Sequence, residues 1–170
     1  LKEELLEFDD GLKIQTKFLN HPVLTLGYRI EYGGKVFCTV FDHEPFRNVF
    51  PINPHDPGYD AAAADEGEAI AKEENAKVIQ FFHGADLLIH DTQYTQREYL
   101  AARVGWGHST YEHAINAAHK GRVKRLLFYH HDPLRSDEEL ARLEKHYQTT
   151  VVGKTETEVA AAREGMEFDL

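Results

Sequence analysis

Four short segments of this chain put a metal- or proton-active side chain just beyond a run that reads as a β-strand. His21 follows a strand ending at Leu19, Asp42 follows Phe41, Asp91 follows Leu87 to His90, and His130 follows Leu126 to Tyr129. Strand ends are rigid platforms from which loops project functional groups. Two histidines and an aspartate so placed suit a metal site of nitrogen and carboxylate ligands. Beside Asp42, His43 and Glu44 are alternative ligands, and His131 competes with His130. His108 stands apart from these. It precedes Ser109, read as a helix cap, so the positive end of the helix dipole would disfavour its protonated form. A nearby carboxylate would oppose that effect and orient the ring, a balance that suits a histidine giving and taking a proton.

The chain holds eleven histidines, a high number, so position and not enrichment must decide among them. His90 is expected to point away from Asp91 into packing, and His55, His83, His113, His119 and His146 read as surface or core residues. Tyr94, Tyr99 and Trp106 read as core or pocket wall; Trp106, beside the His108 loop, is the one aromatic to consider for a substrate base.

The elements that must position these groups follow from periodicity and turn chemistry. Leu12, Ile14, Thr16 and Phe18 alternate with polar residues, the mark of a half-buried strand. Thr25 to Tyr32 and Lys35 to Phe41 flank the Gly33-Gly34 turn and complete an antiparallel meander. Residues 46–59 read as an ordered loop, and Ala61 opens a polar helix reaching Phe82. Strands are expected at Asp86 to His90 and Arg125 to Tyr129. Helices are expected behind the capping boxes Thr95/Glu98, Ser109/Glu112 and Ser136/Glu139. Leu1 to Phe8 reads as a helix end or loop. Val151-Val152 reads as a strand, Glu156 to Arg163 as a short helical stretch, and Met166 to Leu170 as an edge strand. The fold class is therefore α/β, one domain over residues 1–170. The meander offers a one-sided sheet that needs another layer over its apolar face.

Composition narrows the function classes. Hydrophobic residues, at 42%, suffice for a core, yet no apolar run approaches the roughly 18 residues of a membrane span. Leu1 to Asp10 lacks the basic start of a secretory leader, and the single Cys38 fits a reducing compartment, so a cytoplasmic protein is expected. A net charge of −10 disfavours long nucleic acids as partners, though not small anionic substrates held by a metal.

The motifs resemble, in order, those of the tRNase Z branch of the metallo-β-lactamase superfamily. Asn20 to Ile30, with His21 six residues before Gly27-Tyr28-Arg29, resembles the third metal-binding motif. Val40-Phe41-Asp42 resembles the fourth. Leu87 to Thr92 resembles the branch's His-Glu-Ala-Thr motif with Asp91 in the glutamate's place, Gly107 to Thr110 the loop of the proton-transfer histidine, and Leu126 to His130 the fifth motif. Bacterial hydrolases of this type carry stretches similar to Asp86 to Tyr94, Gly105 to Thr110 and His130 to Pro133.

The resemblance implies the C-terminal half of an αββα sandwich and a dinuclear metal-dependent hydrolase. Zinc would be the metal, with manganese or iron as alternatives. It implies that His21 binds one metal, His130 the other, that Asp42 bridges them, and that His108 protonates the leaving oxygen with Asp91 orienting it. The family's His-x-His-x-Asp-His motif is absent from this sequence. The expectation is a fragment, a split product or one part of a complex, partnered by the N-terminal half or by a second copy. Only fourteen residues separate Gly27 from Asp42, where tRNA-binding members insert a long arm. A small phosphodiester such as a cyclic nucleotide is therefore the expected substrate. The alternatives are hydrolysis of a carboxyl ester, thioester or lactone, and a non-catalytic half-domain that binds a partner or dimerises.

Overall fold

A computed structural model describes residues 2–151 and 154–170. Its centre is a seven-stranded sheet in which the strands lie in sequence order. Strands β1 (Leu5–Glu7), β2 (Lys13–Phe18), β3 (Leu26–Tyr32) and β4 (Lys35–Val40) form the antiparallel meander. The β3–β4 turn is tight because Gly33 and Gly34 both take positive φ, at 57° and 77°. From β4 onward, β5 (Leu87–Asp91), β6 (Arg125–Tyr129) and β7 (Glu158–Ala161) add in parallel. Parallel strands need crossovers. These are α1 (Ala61–Phe81), the pair α2 (Gln96–Ala102) and α3 (Tyr111–Lys120), and α4 (Asp137–Val151).

The core lies between one face of the sheet and these helices. Cys38, Val40, Leu88, Leu126 and Phe128 alternate along their strands and meet Val78, Phe82, Tyr111, Ala114, Ala118 and Tyr147 from the helices. Tyr111 stacks on Tyr147 at 4.8 Å and sets its edge to Phe128. Burying apolar surface stabilises a fold by about 25 cal/mol per Å², and this layer is where the buried apolar cluster lies. The opposite face carries the other half of each strand's alternation, including Ile30, Phe37, Ile89 and Leu127. Leu127 there is buried, whereas Tyr28, Tyr32 and Tyr129 are 41%, 58% and 44% exposed.

Some local expectations are corrected. Residues 5–7, read as helix end or loop, form β1. The strand is held beside β2 through Thr16, whose hydroxyl accepts the Glu4 N–H and donates to the Lys2 carbonyl. The stretch around Glu156 to Arg163 contains β7, not a helix. Thr157, Val159 and Ala161 are buried in a period of two, so parallel pairing with β6 outweighs the helix propensity of its alanines. Val151, read as strand, ends α4 instead, and Val152 lies outside the described residues. Residues 166–170 form no strand. The cap of α3 is Thr110, whose side chain accepts the His113 N–H, and not Ser109. The other two capping boxes are as expected, at Thr95/Glu98 and Ser136/Glu139.

Candidate metal and proton-transfer site

Because β4, β5 and β6 are parallel, their carboxyl ends share one edge of the sheet, the place where open α/β sheets bind ligands. Asp42 leaves β4 with φ 50° and His130 leaves β6 with φ 55°. A left-handed conformation costs a non-glycine residue about 1–3 kcal/mol, so both turns hold strain at the same edge. Asp91 ends β5 and is fully buried, and His108 comes in from the α2–α3 loop. Asp42, Asp91, His108 and His130 each offer one nitrogen or oxygen atom within 4.8 Å of the others.

Contacts within the group are close. His108 Nδ1 lies 2.7 Å from Asp91 Oδ2. The rings of His108 and His130 stack with centroids 4.7 Å apart and planes 15° off parallel. His130 Nε2 lies 3.1 Å from Asp42 Oδ1. That approach is not aligned as a hydrogen bond, and Asp42 Oδ1 has no hydrogen-bonding partner although it is buried. Burial raises the Asp91 pKa, opposed by the His108 hydrogen bond and charge. Burial acts to lower the His108 pKa, but the hydrogen bond and charge of Asp91 prevail and hold it above the ordinary value. The helix end, expected from sequence to weigh against protonation, gives way to this buried carboxylate.

His21 sits beside the group and not within it. Its ring centroid is 5.4 Å from that of His108, and its Nδ1 lies 3.0 Å from the Val23 carbonyl oxygen. Of the adjacent pair, the structure brings His130 to the group. His131 is turned back toward β7, with Nε2 3.4 Å from the Ala162 carbonyl.

His43 and Glu44, held open as alternative ligands, point elsewhere and have other work. The His43 backbone N–H donates to Asp91 Oδ2 at 3.2 Å, its Nδ1 accepts the Asn20 N–H at 3.2 Å, and its carbonyl accepts the Ser109 hydroxyl. One residue thus ties the loops of His21, Asp91 and His108 to that of Asp42. The Glu44 carboxylate, 4% exposed as a residue, accepts the N–H groups of Gly105 and Gly107 at 2.7 and 2.8 Å and the Tyr99 hydroxyl. Gln93, which no sequence signal marked, places its side-chain amide 3.2 Å from His130 Nδ1. His90 is fully buried as expected, with Nδ1 2.7 Å from the Asp91 carbonyl. Its ring lies about 6 Å from those of His43 and His113, with centroids 5.9 and 6.1 Å away.

No family model matches the chain. Ribonuclease Z of Lactococcus lactis subsp. lactis is 25% identical in an alignment 144 positions long that covers 72% of this chain and 46% of that protein. The metallo-β-lactamase-fold protein YhfI from Bacillus subtilis superposes with a TM-score of 0.60 at 18% identity, over 96% of this chain and 50% of that one. The short form of human tRNase Z superposes with a TM-score of 0.57 at 20% identity, over 96% of this chain and 45% of that one. The chain spans about half the length of the Lactococcus relatives it matches. Its mixed sheet and helical layer therefore match about half of a metallo-β-lactamase fold, and its sequence is similar to ribonuclease Z.

Proposed function

We propose that this chain contributes to metal-dependent hydrolysis of a small phosphodiester, with His108 as the general acid. The observation that carries the reading is the convergence of Asp42, Asp91, His108 and His130 at the carboxyl edge of the parallel strands. The similarity to ribonuclease Z, a ribonuclease by name, supports the choice of reaction, since cleaving RNA breaks a phosphodiester bond.

The donor set fits a metal ion. Asp42 Oδ1 is buried without a donor, and His130 Nε2 approaches it without bonding to it, as two ligands of one ion would. Imidazole and carboxylate donors suit zinc, with manganese or iron also compatible. Asp42 and His130 would hold the ion, and His21 would complete the set from the neighbouring loop. Bound metal supplies a water of lowered pKa and polarises the phosphoryl oxygen. The remaining steps belong to the chain. The Gln93 amide, turned so that its oxygen accepts from His130 Nδ1–H, leaves Nε2 bare toward Asp42. Asp91 holds the Nδ1–H of His108, so that Nε2 carries the proton destined for the leaving oxygen.

A small substrate is favoured over tRNA by the tight Gly33-Gly34 hairpin, which leaves no arm between β3 and β4, and by the net charge of −10. The sheet face with the exposed tyrosines is where we place the complementary half of the fold. The test is hydrolysis of cyclic nucleotides, a lactone, a thioester and precursor tRNA by the zinc-loaded protein. Turnover of the cyclic nucleotides supports the reading. Turnover of only the acyl substrates, or of tRNA in preference, contradicts it.

A further inference from the structure

We infer that the loop preceding His108 is a nucleotide subsite: Trp106 seats a heterocyclic base, and Arg103 and Arg47 bind an anionic group attached to it. This deepens the phosphodiesterase reading and rests on it for the identity of the ligand.

Trp106 is the chain's only tryptophan and is 54% exposed. It is not on a loose loop. The backbone N–H groups of Gly105 and Gly107, on either side of it, both donate to the buried Glu44 carboxylate. Gly107 is pressed so closely on His21 and Pro22 that a Cβ there would meet them at 2.4 and 2.5 Å. An exposed indole is thus held on a fixed backbone two residues from His108, the preorganisation a stacking platform needs.

Two arginines flank it. The Arg103 guanidinium lies 4.4 Å from the indole centroid and 5.7 Å from the Tyr94 ring, which in turn sets its edge toward His108 at 6.3 Å. Arg47 Nη2 comes within 3.7 Å of where a Cβ at Gly105 would stand. Among the described residues neither guanidinium is in an ion pair with a carboxylate; Arg103 donates to the Ala102 carbonyl and also lies against Tyr94. In a chain of net charge −10, two arginines without a direct ion pair stand beside an open aromatic face. Arg103 stiffens the indole by stacking and keeps the rest of its N–H edge, beyond the bond to Ala102, for an anion. A base with an attached phosphate matches both features, whereas a simple ester matches neither.

Because Trp106 is the only tryptophan, its fluorescence reports on the subsite directly, without turnover. Titration of the zinc-loaded protein with a nucleoside monophosphate is expected to quench that emission saturably. Ribose 5-phosphate and inorganic phosphate are expected to bind about 10-fold more weakly, given the usual strength of base stacking. By calorimetry, Trp106→Leu should weaken nucleotide binding about 10-fold and leave phosphate binding unchanged, while Trp106→Phe restores most of the affinity. Arg103→Ala should weaken nucleotide and ribose phosphate alike. Equal affinity for nucleotide and ribose 5-phosphate, or nucleotide binding indifferent to Trp106→Leu, overturns the subsite. Phosphodiester turnover that survives such a result leaves the parent reading intact, so the two failures are distinguishable.

Discussion

One carboxylate oxygen, Asp91 Oδ2, serves both His108 and His43: it lies 2.7 Å from His108 Nδ1 and accepts the His43 backbone N–H at 3.2 Å. The residue that orients the proposed acid is therefore fixed by the residue next to Asp42. Proton transfer and metal binding share a framework. Asp91→Asn is expected to lower kcat by roughly 10² or more for phosphodiesters with alkoxide leaving groups, within the range a positioned acid contributes. It should matter much less for a nitrophenolate leaving group, which needs no proton. Equal losses for both leaving groups would show that Asp91 acts on something other than the leaving oxygen.

Glu44 anchors the loop of Trp106 and His108 through two backbone N–H groups and the Tyr99 hydroxyl. Hydrogen bonds to a charged group are worth about 1.5–3 kcal/mol each, and buried donors left behind are unsatisfied. Glu44→Ala should destabilise the fold by about 3 kcal/mol, measured by urea unfolding. It should also speed amide exchange at Gly105 and Gly107 more than in the sheet. Unchanged exchange there would show that other contacts hold the loop.

Gly107 takes φ 89°, and a Cβ would meet His21 Cδ2 at 2.4 Å and Pro22 Cδ at 2.5 Å. Gly107→Ala should cost about 1–3 kcal/mol of stability through backbone strain alone. It should also displace His21, so that metal affinity falls if His21 completes the ligand set. Metal affinity unchanged in a destabilised variant would remove His21 from that set.

The histidines packed around the sheet make the fold acid-sensitive. Burial lowers the pKa of His90 from 6.5 to about 3 and that of His113 to about 4. The unfolded chain then binds more protons than the folded one below pH 6.5, so stability is whole above that pH. It is lost as pH falls toward about 4 for His113 and about 3 for His90. Each histidine contributes a slope of up to ~1.4 kcal/mol per pH unit inside its window. Urea unfolding at pH 7, 6 and 5 should show the decline, and His113→Phe should make it shallower. A flat profile between pH 7 and 5 would contradict the burial of neutral histidines.

Much of this arrangement was legible in the sequence because it rests on strong local patterns. The alternation from Ile14 to Phe18, the Gly33-Gly34 turn and the apolar run Leu126 to Phe128 each specify a strand without outside help. The convergence of Asp42, His108 and His130 could be expected only through the resemblance, since parallel pairing brings their loops together from distant positions. β7 is ambiguous in sequence because Glu158 to Ala161 is as good a helix former as a strand, and only the free edge of β6 decides. The spacing of Ser109 to Glu112 fits a capping box. The structure spends its hydroxyl on the His43 carbonyl and leaves capping to Thr110. The roles of His43, Glu44 and Gln93 are contacts between loops, and no local pattern encodes them.

The proposed placing of a metal ion between Asp42 and His130 is open to a simple test by metal content. Elemental analysis of the purified protein after zinc loading and dialysis should find bound zinc in the wild type. It should find little or none in Asp42→Ala, with the variant's fold verified by circular dichroism. A folded wild type free of metal, or an Asp42→Ala variant that retains it equally, would contradict the account.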